Sequence, residues 1–168
     1  VNAYVAAKFE EKERVQNFMR ELRKCGVTIT HNWTPDDDEG LEGDDRDRYL
    51  ATCAADDLRG VLDADVVFFL YNPKCRGGFV EVGAAISHDI PVVVIGAPKD
   101  EAKPCVFFEI RHMEHVRSQG WRVLMFNDEA AVIHDIAWWR GKGGALTGLI
   151  SGAITRAAEV RDEDARTR

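Results

Sequence analysis

The run Ala64-Asp65-Val66-Val67-Phe68-Phe69-Leu70-Tyr71 is too apolar and too rich in β-branched residues to be anything but a buried strand. A strand covered on both faces belongs to a sheet with helices on either side, and the rest of the chain supplies the partners. Pro91-Val92-Val93-Val94-Ile95 repeats the same character, Val1 to Ala7 and Val27 to Thr30 read as the first two strands, and Trp121-Arg122-Val123-Leu124-Met125-Phe126 reads as a fifth. Between them lie helical stretches. The first runs from about Glu10 to Cys25, with Val15, Phe18, Met19 and Leu22 on one stripe and Gly26 as its stop. Others run from about Arg46 to Val61 and to about His88. Strand and helix alternate throughout, which predicts a parallel, doubly wound five-stranded sheet with right-handed crossovers, a three-layer α/β/α arrangement. Beyond the Pro98 to Pro104 loop, Phe107 to Arg117 suits a short helix. Asp128 to about Val160 is helical with a break at Gly141-Lys142-Gly143-Gly144, and Arg161 to Arg168 is a charged, frayed tail. The reading is therefore a single domain over residues 1–160 with a tail at 161–168.

At 168 residues, 45% apolar and 30% charged, the composition is that of a globular domain able to bury its own core. The formal net charge of −7, with no dense Lys/Arg patch, argues against a nucleic-acid polymer as partner but not against a single nucleotide. No apolar run approaches the roughly 20 residues needed to span a bilayer, and no signal-peptide pattern is present, so no membrane association and a cytoplasmic location are expected. Cys25, Cys53, Cys75 and Cys105 form no Cys-x-x-Cys pair, which fits reduced thiols and indicates neither a zinc ribbon nor a dithiol redox motif.

Glu81 is the leading candidate for chemistry. It lies in Arg76-Gly77-Gly78-Phe79-Val80-Glu81-Val82-Gly83-Ala84-Ala85, shortly after the buried strand, and so at the carboxyl edge where open α/β sheets place ligands. Gly77 and Gly78 are expected to open the helix and let backbone approach a ligand. A carboxylate in the first turn is stabilised as the anion by about 0.3–1 kcal/mol, which suits a nucleophile. The same position equally suits a glutamate that only complements the helix dipole. Asp57, in Asp56-Asp57-Leu58-Arg59-Gly60-Val61 near the end of the preceding helix, is a second candidate; it, Asp63 and Asp65 also suit caps or solvated turns. A pair of carboxylates serves glycosyl transfer, one attacking the anomeric carbon and the other handling protons.

Three blocks over roughly residues 2–96 carry a resemblance to the nucleoside 2-deoxyribosyltransferase-like family, which includes 2′-deoxynucleoside 5′-phosphate N-hydrolases and pyrimidine nucleotide hydrolases. Tyr4-Val5-Ala6-Ala7-Lys8-Phe9 resembles the family's first strand and substrate loop. Asp57-Leu58-x-x-Val61 with Ala64-Asp65-Val66-Val67 resembles the segment holding its catalytic aspartate. Gly78-Phe79-Val80-Glu81-Val82-Gly83-x-Ala85 resembles its nucleophile block. The resemblance implies a flavodoxin-like or Rossmann-like domain that cleaves an N-glycosidic bond without a metal or organic cofactor. Glu81 is then the nucleophile at C1′, Asp57 supports protonation of the departing base, and Phe9 flanks the base. It also implies a homodimer or larger homo-oligomer.

The chain departs from the pattern at Ala7, where relatives carry glycine, at Lys8 beside it, and at Cys75, where the transferases have an aspartate and some hydrolases a phosphate-contacting serine. Lys8, Lys74, Arg76 and the amides of a Gly77-Gly78 turn are candidates to hold a 5′-phosphate. Nothing in Arg161 to Arg168 resembles the chain end that completes the transferase pocket, so hydrolysis is expected over base exchange. Trp33, beside His31 and Asn32, is placed to stack on a base or to pack in the core. The acidic segment Pro35 to Asp47, with five carboxylates in Asp36 to Glu42, reads as a long mobile loop and a candidate lid. His112-Met113-Glu114-His115 lacks the zinc-peptidase spacing, and Trp138-Trp139 suits packing or a subunit contact. The rival readings are base exchange, hydrolysis of a larger nucleotide such as NAD, and a non-catalytic nucleotide-binding module.

Overall fold

The strand anchored by Phe68 and Phe69 is the centre of the molecule. In the computed structural model, which describes residues 1–97 and 123–141, β3 (Val66–Leu70) lies between β1 (Asn2–Ala6) and β4 (Val92–Ile95). β2 (Thr28–Ile29) and β5 (Val123–Phe126) form the edges. The order is β2-β1-β3-β4-β5 and every pairing is parallel. Tyr4 stands opposite Val67, Phe68 opposite Val93, and Val93 opposite Leu124. This is the doubly wound order expected from the alternation. Its topological switch point, where ligand crevices form in such sheets, lies between β1 and β3.

Successive strand residues point to opposite faces, and β3 shows both layers. Phe68 meets Phe18 of α1 (Lys12–Lys24) edge to face at 5.6 Å. Phe69, its neighbour, meets Phe79 of α3 (Arg76–Ser87) at 5.2 Å. Helices α1 and α4 (Glu129–Gly141) pack together on the first face, α2 (Gly43–Leu62) and α3 on the second. The α1 stripe read from the sequence is the buried one: Val15, Phe18, Met19 and Leu22 all enter the core. A 3-10 turn at Phe9–Glu11 links β1 to α1.

Two local expectations are corrected. α2 begins at Gly43 rather than near Arg46, entered from the extended Glu42. Asp44 and Asp45 then occupy the first helical turn, where negative charge complements the dipole. The acidic segment before it is a pinned loop rather than a loose one. Thr34 Oγ1 donates to Asn32 Oδ1 at 2.8 Å, Asp36 N donates to the Trp33 carbonyl at 2.9 Å, and Asp37 N donates to the Tyr49 hydroxyl at 3.0 Å. Arg46 pairs with Asp38 at 2.7 Å, and Lys12 Nζ caps the Asp36 carbonyl. Most of these bonds involve a side chain, and composition counts only its charge. The expectations for Pro98 to Pro104, Cys105, Phe107 to Arg117, His112 to His115, the break at 141–144 and the 161–168 tail lie outside the described residues, as do the side chains of Trp138 and Trp139. Among the described residues no helix is long and apolar enough to cross a membrane.

Candidate active site

Tyr4, third in the sequence of β1 and fully buried, points to the α2/α3 face. Its hydroxyl lies 2.8 Å from Asp57 Oδ1 on α2 and 2.9 Å from Glu81 Oε1 on α3. One oxygen atom thus joins two carboxyl groups that are far apart in sequence. α2 reaches this close because residue 60 is glycine: a Cβ there would meet His31 Cβ at 2.5 Å and the Tyr4 ring at 3.0 Å. Thr30 Oγ1, donating to the Gly60 carbonyl at 2.7 Å, ties that end of α2 to the strand layer. α3 is seated the same way. A Cβ on Gly78 would meet Cys75 Sγ and the Phe69 ring, each at 2.6 Å, so glycine sets the closeness of α3 to β3 and with it the position of Glu81.

The pair is short of positive charge. His31 Nε2 is 3.6 Å from the Asp57 oxygen that Tyr4 contacts, within reach of an ion pair but too far for a hydrogen bond, and this buried nitrogen has no hydrogen-bond partner among the described residues. Burial first, and the Asp57 charge second, push Glu81 up to about 7, against the lowering influence of the Tyr4 hydrogen bond. Asp57 is raised as well, chiefly by burial, with the Tyr4 hydrogen bond and His31 opposing. Tyr4 is held far from ionisation by its burial and by both carboxyl groups. These are the conditions under which two nearby carboxyls do not ionise together.

This corrects the expected origin of Glu81's character. α3 starts at Arg76 and has no acidic residue in its first turn. Gly77 and Gly78 are helical, the turn before them being made by Asn72 to Cys75, where Cys75 N donates to the Asn72 carbonyl at 3.0 Å. Glu81 is therefore one turn deeper, where the dipole has faded. Its environment favours the neutral acid rather than the anion.

Beside Asp57 opens a cavity of about 210 Å³ lined by Phe9, Trp33, Asp36, Tyr49 and Cys53 among others. Phe9 is 48% exposed, not a core residue, and stacks on Trp33 with centroids 6.2 Å apart and planes inclined by 23°. Trp33 is buried and fixed by its Nε1 donating to the Val5 carbonyl at 2.8 Å. The Asp36 to Asp38 segment forms one wall, so the acidic loop does border the site. A larger cavity, about 760 Å³, lies between α1 and α4 on the other face and contains neither Asp57 nor Glu81.

The remaining sequence candidates divide. Ala7 is half-buried, and Lys8 pairs with Glu10 at 2.9 Å. Glu11 stands at the same rim, accepting from Asn72 Nδ2 at 2.8 Å. Cys75 is buried as the residue preceding α3, with burial raising its thiol. Lys74, Arg76 and Gly77 are exposed, and nothing lies within 4 Å of a Cβ built on Gly77. The proposed cationic rim is thus shared with two glutamates. Among the described residues no three His, Cys, Asp or Glu side chains converge as a metal site.

Sequence reasoning singled out neither Tyr4 nor His31. The signal for Tyr4 was present: it is the one aromatic with a polar tip among the buried residues of its strand, and a buried tyrosine hydroxyl needs a partner. His31 carried no comparable signal, since only folding brings it to Asp57.

No protein-family model and no curated protein matches the sequence. Among solved structures the chain is similar to the CMP N-glycosidase BcmB of Clostridium botulinum, with a TM-score of 0.52 at 16% identity, over 83% of this chain and 99% of that one. At that identity the likeness is one of fold, a five-stranded parallel α/β sheet with helices on both faces.

Proposed function

We propose that this protein cleaves the N-glycosidic bond of a nucleoside 5′-monophosphate or deoxynucleoside. The observation that carries the reading is the Asp57–Tyr4–Glu81 cluster: two carboxyls on one hydroxyl, beside a cavity walled by stacked aromatics. Two hydrogen bonds to one atom hold the facing oxygens inside the wide gap, about 6.5–9.5 Å between carboxyls, that inverting glycosidases keep for a water. The closer spacing of retaining enzymes, about 5–5.5 Å, suits a carboxylate that attacks directly. In this reading Glu81 forms a bond to C1′ as the C1′–N bond breaks, and the base leaves with the electron pair and a proton from Asp57. Asp57 then takes a proton from water, whose oxygen displaces Glu81 from C1′.

The base is assigned to the cavity of Phe9 and Trp33. Asp36 lines it as a hydrogen-bond acceptor, which favours an amino-bearing base over one presenting carbonyls. The similarity to a CMP N-glycosidase is in keeping with that choice. A 5′-phosphate is assigned to the exposed side chains of Lys74 and Arg76, since Lys8 is engaged by Glu10. Incubation with a panel of ribo- and deoxyribonucleosides and their monophosphates, with and without a free acceptor base, and chromatography of released base, tests the assignment. Release is expected from monophosphates of amino-bearing bases and a loss of at least about 10³-fold in Glu81→Gln, as for removal of a covalent nucleophile. Undiminished release by Glu81→Gln sinks the nucleophile. New nucleoside formed only with acceptor present replaces hydrolysis with base exchange.

A further inference from the structure

A tyrosine hydroxyl has one hydrogen, and the Tyr4 oxygen touches two carboxyl oxygens at 2.8 and 2.9 Å. It donates to only one of them. If both carboxyls were ionised, the second contact would set a lone pair against an anion at hydrogen-bond distance in a half-buried site, where the nearby basic group among the described residues, His31, stands beside Asp57 and not beside Glu81. Both distances are satisfied only when one carboxyl carries a proton and donates it to the Tyr4 oxygen, while Tyr4 donates to the other.

The surroundings decide which carboxyl holds that proton. Around Asp57 stand His31 from the loop after β2, Asp36 from the wall of the cavity, and Cys53 and Asp56 on α2 itself. Around Glu81 stand Asp57, Tyr4 and the buried Cys75 thiol. The imidazole 3.6 Å from Asp57 favours the anion there, and Glu81 has no such neighbour among the described residues. The resting arrangement is then protonated Glu81, donating to Tyr4, donating to anionic Asp57. That is the reverse of what glycosyl transfer needs, which is an anionic Glu81 and a protonated Asp57.

We propose that Tyr4 is a proton relay: the Glu81 proton moves to the Tyr4 oxygen as the Tyr4 proton moves to Asp57, so one concerted shift ionises the nucleophile and arms the acid. The balance is complete within the three residues: one O–H bond forms on Tyr4 as another breaks there, Glu81 loses a proton, Asp57 gains one, and the net charge is unchanged. Tyr4 is never left as an anion, which suits a hydroxyl so far from ionising. This role for Tyr4, acting through its two neighbours, rests on the assignment of Glu81 as nucleophile and Asp57 as acid.

The test is Tyr4→Phe, compared with wild type and Glu81→Gln on two substrates: the natural monophosphate, and a ribose 5-phosphate bearing an activated leaving group that departs without protonation. On the natural substrate at pH 7, Tyr4→Phe is expected to lose at least about 100-fold in kcat, the usual worth of a placed acid–base group, with KM nearly unchanged. On the activated substrate its rate should recover towards wild type as pH rises and Glu81 ionises unaided, while Glu81→Gln stays inactive on both. Wild-type kcat and pH profile in Tyr4→Phe, or an equal loss on both substrates at every pH, overturns the relay. Activity retained in Glu81→Gln instead overturns the reading beneath it. Should Tyr4→Phe fail to fold, infrared spectroscopy of the ligand-free wild type decides. At pH 6 a protonated-carboxyl C=O band that disappears in Glu81→Gln is expected, and its absence in the wild type overturns the proposal.

Discussion

On the α1/α4 face, Glu11 and Glu129 both close on the guanidinium of Arg14. On the α2/α3 face, Glu81 and Asp57 close on a neutral hydroxyl, with an imidazole just out of reach. The first arrangement matches each carboxylate with charge at a partly solvated rim, and Arg14 and Glu129 line the cavity of about 760 Å³. The second sets two half-buried carboxyls against one neutral hydroxyl, with Glu81 pushed up to about 7. Cavity size and carboxyl chemistry thus point to opposite faces. The difference lies in compensation: a fold gains from paired charges, whereas an uncompensated pair persists only where surrounding structure holds it, and such places are characteristic of active sites.

The sharpest way to break that comparison is to remove the strain. Glu81 titrates at about 7 in the folded protein against an ordinary value of 4.5. The folded state therefore binds the proton more tightly than the unfolded chain, and stability falls as pH rises from about 4.5 through 7. Above that window the ionised carboxyl costs about 3 kcal/mol. Glutamine imitates the protonated acid, its amide able to donate to Tyr4 while Tyr4 donates to Asp57. Glu81→Gln should match wild type in urea denaturation at pH 4 and exceed it by about 2–3 kcal/mol at pH 8. Equal stability at both pH values would mean that the site is not strained.

Gly60→Ala probes the same face through packing. The new Cβ meets two groups that have little room to give, His31 Cβ and the Tyr4 ring, so either the helix or the tyrosine must shift. A loss of about 1–3 kcal/mol from overpacking is expected, partly offset by about 1 kcal/mol of helix propensity. Because the shift moves Asp57 relative to Tyr4, base release should fall further than thermal stability predicts. Thermal melts and kcat measured on the same preparation check this. A variant that melts lower yet keeps kcat would show that the Tyr4–Asp57 contact tolerates displacement.

Much of this was legible in the chain, for reasons that differ by residue. The parallel sheet was legible because Val66 to Leu70 and Val92 to Ile95 are apolar at every position, a pattern that only two-sided burial explains. Glu81 and Asp57 were legible as candidates because acidic residues beside glycines and buried strands are locally odd. What was not legible is what they do to each other. The value near 7 comes from burial and from a residue 24 positions away, while a local reading had credited a helix terminus that in fact lies one turn earlier. Gly78 read as letting the backbone approach a ligand and Gly60 carried no signal of its own, yet each serves by lacking a Cβ at a close contact within a helix. Such contacts are properties of the packed molecule and leave no trace in local pattern.

The smallest expected effect lies on the compensated face and is the control for all the others. Arg14→Met removes both ion pairs while keeping most of the apolar stem against α4. The Arg14 side chain is 37% exposed, and Glu11 and Glu129 are 24% and 28% exposed, so solvent screens the charges that are left behind. A loss of no more than about 1 kcal/mol is expected, shrinking further in high salt, with base release unchanged. Urea titrations at low and high salt, run beside the base-release assay, measure both quantities. If base release falls in proportion to stability, the effect is general softening of the fold. If it falls while stability holds, Arg14 and the Tyr4 cluster communicate through the sheet that separates them, and the two faces are not the independent compartments their charge patterns describe.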